Sequence, residues 1–355
     1  MKKIAKYISS ALMVAALGAT FTACDDWTEP EHVDLDYGTI DTANPEAYVK
    51  YLENLRAYRN SDHKLVYAWF DNVETAFGSQ GPRISAIPDS VDVIVLNNPD
   101  KVTNQLVQEM FEARTNKGQQ FSYVIDFDVI KADYTLLCEQ LAAKRIEFIN
   151  INGEDAEIPA ELKDPEFLTY LTESCAAQLK HFNTVGFDGL VAGFAGKPTN
   201  HMTQEELNAY KDQAALFLGI IEDWHQRNPS VAIDLLCKPQ YIDSPLLAEA
   251  RRVFLVESLD ASSIDSYSYY VALADNAVPE SKLGVLASVP DHTGADEKLG
   301  YFANGTLAVN GMAKWAAGQN IGAVGIYNTG ADYFLTNGFY TNVRYVIETV
   351  NPSAK

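Results

Sequence analysis

Asp126 and Asp128 stand two residues apart at the end of an apolar run, the spacing that puts two carboxylates on one face of a β-strand. Such a pair suits acid–base work, and a solvated strand end accounts for it equally well. Glu257 is a third acid that follows an apolar run. Asp291 and His292 adjoin in a glycine-containing loop, but no Gly-x-Ser-x-Gly supplies a nucleophile for them. Cys138, Cys175 and Cys237 form no Cys-x-x-Cys pair and stand at no ligand spacing to a histidine, so no metal site is expected. Three buried thiols are the simple reading, and one disulfide plus a leftover thiol is the other. Phosphate-binding loop, dinucleotide fingerprint and calcium loop are all missing from the sequence, and no cofactor is expected.

The elements that would position these groups follow a regular rhythm. Strand-like runs are expected at Lys64–Asp71, Val91–Leu96, Phe121–Phe127, Val185–Phe194, Val231–Leu236, within Val253–Tyr270, at Lys282–Ser288 and at Ile321–Tyr327. Helical stretches lie between them, at Val102–Thr115, Ala132–Lys144, Pro165–His181, Gln204–Arg227 and Leu307–Gly318. A further helix, Pro45–Arg59, precedes the first strand, with Asn44 as its N-cap. Arg145–Asn152 fits this scheme poorly, as a ninth strand, a hairpin or irregular chain. Eight strands separated by helices in one domain define an α/β fold, the (β/α)8 TIM barrel, over residues 45–355.

The chain begins with Lys2, Lys3 and Lys6, followed by a short apolar stretch from Ile8 to Phe21. That is the pattern of a secretory signal and is too short for a membrane span. Thr22-Ala23 before Cys24 resemble a bacterial lipobox, although Phe21 replaces the usual Leu. The resemblance implies cleavage after residue 23, lipidation of Cys24 and a linker over 24–44. Asp25-Asp26 are similar to the surface-export signal of Bacteroidota lipoproteins. The expected location is the outer membrane, lipid-anchored and facing outward. With 27 basic and 48 acidic residues the net charge is −21; without the three leader lysines it is 24 against 48, or −24. Such acidity argues against nucleic acid and against bare anionic lipid, and it suits a neutral ligand.

One stretch carries a more specific resemblance: Val185-Gly186-Phe187-Asp188-Gly189-Leu190-Val191-Ala192-Gly193-Phe194-Ala195-Gly196. It resembles the signature strand of glycoside hydrolase family 18, the chitinases and endo-β-N-acetylglucosaminidases. There, Phe-Asp-Gly is followed by Asp, Asp and Glu at alternate positions. Phe187-Asp188-Gly189 match, while the three later acids are replaced by Val191, Gly193 and Ala195. In the family, the Glu protonates the leaving oxygen and the Asp two residues before it orients the substrate's acetamido group. Ala195 has no proton to give, and general acid catalysis alone is worth about 10²–10⁴ in rate. The resemblance therefore implies a barrel that binds a glycan without cutting it.

Barrel ligand sites form at the C-terminal ends of the strands. The candidates there are Trp69, Asn72, Asn97, Asp126, Asp188, Phe194, Lys238, Gln240, Tyr267, Tyr269, Tyr327 and Asn328. Aromatic faces with amides and acids suit a sugar's apolar C–H face and its hydroxyls. Either Tyr267 or Tyr269 would be the tyrosine that the family places beside the acetamido group. The expected function is a non-catalytic surface lipoprotein of a glycan-uptake system, binding N-acetylglucosamine- or mannose-containing glycans. An outer-membrane transporter and its lidded binding lipoprotein would be its partners. Two alternatives remain: a glycosidase with relocated carboxylates at Glu257, Asp126 or Asp128, and a scaffold subunit that binds no sugar.

Overall fold

A computed structural model describes residues 44–72, 83–274, 276–335 and 338–352. The expected signal, linker and lipidation site at Cys24 lie outside the described residues. The chain divides into two compact units, Met1–Tyr51 and Leu52–Lys355. Of the first, residues 44–51 are described. They begin helix α1 (Pro45–Arg59), where the Asn44 side chain accepts a hydrogen bond from the Ala47 N–H at 3.1 Å.

The second unit is a closed barrel of eight parallel strands in sequence order. They are β1 (Leu65–Phe70), β2 (Val93–Leu96), β3 (Gln120–Asp126), β4 (Gly189–Phe194), β5 (Ala232–Cys237), β6 (Arg252–Leu255), β7 (Leu283–Ser288) and β8 (Ala323–Tyr327). The helices between them are α2 (Asn104–Glu112), α3 (Phe127–Asn152), α4 (Phe167–Val185), α5 (Gln204–Arg227), α6 (Leu246–Glu249), α7 (Asp265–Ala274) and α8 (Ala308–Ala317), with α9 (Thr341–Val350) closing the series. None among the described residues is long and apolar enough to cross a membrane.

Strand pleating sorts the side chains into two cores. Alternate residues such as Tyr67, Trp69, Val93, Val95, Val191, Leu236, Phe254 and Leu286 fill the interior. Their neighbours, among them Val66, Phe70, Ile94, Leu190, Ala192 and Phe194, face the helices. Interior volume is shared between strands. A Cβ on Gly325 of β8 would come within 2.5 Å of the Trp69 ring, so the small residue makes room for the large one.

One charge pair sits inside this apolar ring. Asp234 of β5 is fully buried. It accepts hydrogen bonds from Arg251 Nε at 3.0 Å, Arg251 Nη2 at 2.6 Å and the Tyr67 hydroxyl at 3.0 Å. Arg251 also reaches Gln120 Oε1 at 2.6 Å, linking β3, β5 and β1 at the lower end. At the foot of β1, Asp92 accepts the Val66 N–H at 2.8 Å, Arg59 Nη1 at 2.9 Å and His63 Nε2 at 3.2 Å. Asn351, just after α9, accepts the Lys64 N–H at 3.0 Å and donates to the Lys64 carbonyl at 2.8 Å.

Two readings of the sequence are corrected, and the choice left open for the cysteines is decided. Arg145–Asn152 is neither strand nor loop; it continues α3, which stops only at Gly153 with φ 94°. No helix-breaking residue separates it from the residues before, and its spare isoleucines, Ile146 and Ile151, face water. The sixth strand is only four residues long. The Tyr–Ser alternation after it lies in α7, where packing on neighbouring rings overrides the period-two pattern. The thiols of Cys138, Cys175 and Cys237 are all free; Cys138 is half-buried and the other two are buried.

Two outcomes test these contacts. Asp234→Ala leaves a largely buried guanidinium unpaired and is expected to cost about 3–5 kcal/mol in urea unfolding. His63 is held above its ordinary value of 6.5, first by its hydrogen bond to Asp92, against opposing burial. Its stabilisation is therefore complete below about pH 6.5 and is lost as the pH rises through the folded value. His63→Gln should remove that part of the pH dependence of unfolding.

Candidate functional site

The upper floor of the barrel is aromatic. Trp69 at the end of β1 stacks on Tyr327 at the end of β8, with ring centroids 4.8 Å apart and an interplanar angle of 16°. Phe254 meets Trp69 edge-on at 5.0 Å. Trp69 is 1% exposed, and its buried indole N–H has no hydrogen-bond partner. A buried donor without a partner costs free energy that a ligand acceptor would restore.

Asp126 stands beside this floor. It ends β3 and caps α3, its Oδ1 accepting the N–H groups of Asp128 at 2.8 Å and Val129 at 3.4 Å. In the strand register Asp126 pairs with Gly193 of β4. A Cβ built on Gly193 would overlap the Asp126 carboxylate. The carboxylate of β3 thus fills the space that β4 leaves where the family pattern has an Asp. Burial pushes the Asp126 pKa up, against the pull of the two helix N–H groups. Burial first, and then the Asp126 charge, also push up the Tyr327 hydroxyl. Asp128 does not join Asp126 on one strand face. The helix begins at Phe127, and Asp128 is turned out to water in its first turn.

A second polar group follows β5 and β6. Gln240 Nε2 donates to Glu257 Oε1 at 3.3 Å, while Gln240 Oε1 and Glu257 Oε2 are buried without partners. Burial raises the Glu257 pKa, with Lys238 pulling the other way. Sequence reasoning placed Gln240 and Lys238 at the mouth but considered Glu257 only as a displaced acid. Its place directly after the short β6 was the available signal.

Other expected site residues are committed elsewhere. Asp188 precedes β4, at the end of the barrel away from the mouth. It accepts Arg114 Nε at 2.7 Å and the Phe121 N–H at 2.8 Å, and so braces β3. Phe194 faces outward among Phe127, Tyr210 and Phe217. Tyr267 is buried on α7 against Trp315 and Phe302, its hydroxyl 3.4 Å from the Leu286 carbonyl. Tyr269 is exposed on that helix. Neither tyrosine flanks the floor on a strand. Asn72 donates to the Asn98 carbonyl at 2.6 Å and accepts the Asn98 N–H at 2.9 Å, clamping the loops after β1 and β2. Asn97 is exposed. Asn328, at φ 55°, donates to the Val289 carbonyl at 3.3 Å. Asp291 spends its carboxylate on the N–H groups of Thr293, Ala295 and Asp296, which holds its pKa down to about 2. Val191 is buried in the interior, and the Ala195 carbonyl accepts the Lys238 N–H at 2.8 Å. Among the described residues, no three of His, Cys, Asp and Glu converge as a metal site would require.

A closed parallel barrel whose fourth strand begins at the Phe-Asp-Gly frame defines a (β/α)8 protein of glycoside-hydrolase type. The chain belongs to glycoside hydrolase family 18: the family model described as "Glycoside hydrolase family 18, BT1044-like" matches residues 28–349. A selenomethionine Glu-to-Gln variant of BT1044 is similar in structure, with TM-score 0.55 and 14% identity, over 86% of this chain and 93% of that one. The apo endo-β-N-acetylglucosaminidase of Cordyceps militaris gives 0.54 and 15%, over 85% and 96%. A doubly substituted form of the Cordyceps enzyme, in complex with fucosyl-N-acetylglucosamine-Asn, gives 0.53 and 14%, over 85% and 95%. At these identities the likeness is one of fold. No curated protein sequence matches the chain.

The shared space between β3 and β4 is open to test. Gly193→Asp should lower stability by about 1–3 kcal/mol, because the new side chain overlaps Asp126 and adds a like charge. Adding Asp126→Ala should recover most of the loss in thermal unfolding, and additive losses would contradict the shared site.

Proposed function

We propose that this protein is a glycan-binding member of its family that does not cleave its ligand. The observation that carries the reading is the exchange at β3 and β4. Gly193 and Ala195 lack the family's acids, and the vacated space holds Asp126, tied by one oxygen to the start of α3. A carboxylate held there offers an acceptor to a hydroxyl or amide N–H. The unpartnered Trp69 N–H offers a donor, and Tyr327 supplies an apolar face. An acetamido group carries one donor and one acceptor, which matches this set. The sugar–asparagine ligand of the Cordyceps enzyme supports an N-acetylglucosamine-containing glycan as the ligand class. The leader sequence supports display as a lipoprotein anchored through Cys24 at the outer membrane, where a transporter and its binding lipoprotein would be its partners.

One observation favours a second reading. Asp126 and Glu257 are both half-buried carboxyls with raised pKa at the strand ends, and raised carboxyls are what glycosidase acids require.

Glycan-array screening and calorimetry on the purified protein should find binding, with no product from N-glycoproteins or chito-oligosaccharides. Asp126→Asn keeps the helix cap and should weaken binding about tenfold or more, and Trp69→Phe, which removes the N–H, about 2- to 10-fold. Binding of no glycan would sink the proposal. Turnover abolished by Asp126→Asn or Glu257→Gln would establish the second reading.

A further inference from the structure

The loops after β7 and β8 meet in a cluster of four rings above the barrel mouth. His292 stacks on Phe334 with centroids 4.7 Å apart and 23° between planes. Tyr333 stacks on Phe339 at 4.5 Å and 14°, and meets Phe334 edge-on at 5.1 Å. Phe334 is nevertheless 47% exposed and Phe339 60% exposed. A ring that is covered on one face and still about half exposed has its other face in water. Two phenylalanines held this way forgo about 25 cal/mol for each Å² of apolar surface left wet.

The fold invests structure in keeping them there. Asp332, fully buried, accepts Asn342 Nδ2 at 2.7 Å and the Val343 N–H at 2.8 Å. Thr329 Oγ1 donates to the Ile326 carbonyl at 2.8 Å. Asn328 and the buried Tyr340 both adopt left-handed backbone, with φ of 55° and 54°. For a bulky residue such as Tyr340 this conformation is costly and persists only when its surroundings impose it. The same loop starts at Tyr327 on the barrel floor, so floor and rim belong to one continuous connection.

Resting on the glycan-binding reading above, we infer that Phe334 and Phe339 form a second subsite. It would stack on a pyranose of an extended glycan whose inner residue sits on Tyr327, the half-buried ring that covers Trp69. Fixed rings with one free face match a sugar whose hydroxyls lie equatorially, leaving its axial C–H bonds to form an apolar face. The site therefore selects oligosaccharides over monosaccharides, and the gain in affinity with length is located at the rim.

The test is calorimetry on the whole protein with chito-oligosaccharides of two to six units, and with oligomannosides as the second probe. Wild type should bind longer oligomers more tightly than the dimer. The double variant Phe334→Ala/Phe339→Ala should erase that gain, by about tenfold or more, and leave dimer affinity unchanged. Phe334→Tyr/Phe339→Tyr, which keeps the rings, should retain the gain. A length gain that survives the alanine variant overturns the rim subsite and leaves the glycan-binding function standing. Absence of binding to either probe by wild type overturns the subsite; a glycan array then decides the parent reading separately.

Discussion

Eight strands closed on themselves enclose an interior of fixed volume, and a side chain that enters it excludes another. The consequences run from floor to mouth. Trp69 occupies space that Gly325 leaves, and Asp126 occupies space that Gly193 leaves. The change of chemistry on β4 is therefore not a simple deletion. Removing a carboxylate from β4 creates room, and β3 fills it with a carboxylate anchored differently, on the first N–H groups of a 26-residue helix. A group in that position is well placed to hold a ligand. As an acid it stands one strand away from where the family keeps its own.

The lower end of the barrel uses one device twice. Asp92 before β2 accepts the Val66 N–H and an arginine, and Asp188 before β4 accepts the Phe121 N–H and an arginine. In each case an aspartate between two strands ties the start of the earlier one and is itself neutralised by Arg59 or Arg114. The surviving Asp188 of the family frame is explained by this bracing role. It lies at the end opposite the ligand face, so its retention carries information about the fold and none about catalysis.

The barrel was legible in the sequence because eight apolar runs and their intervening helices repeat with little interruption. Val191 faces the barrel interior, as the family frame implies for its position. Reading failed where a local pattern competed with long-range packing. The Tyr–Ser alternation from Asp265 has a strand's period, yet Tyr267 is drawn into a helix by Phe302 and Trp315, which are distant in sequence. Asp126 and Asp128 looked paired until the helix start at Phe127 turned one of them away. The exchange between Asp126 and Gly193 depends on a strand register that one-dimensional spacing does not contain. The rim rings went unread, because nothing in the pairs Tyr333-Phe334 and Phe339-Tyr340 says that Phe334 and Phe339 are exposed while Tyr340 is buried.

The Asn351 contacts with Lys64 couple residues separated by 287 positions. They satisfy both backbone groups of the residue that opens β1, and β1 in turn needs β8 for its second ladder. The ring therefore cannot close during synthesis until nearly the whole domain has emerged. Until then β1 presents an open edge of the kind that pairs with other chains. The last elements made therefore decide when the barrel becomes a single cooperative unit, and the first strand waits longest for its second neighbour.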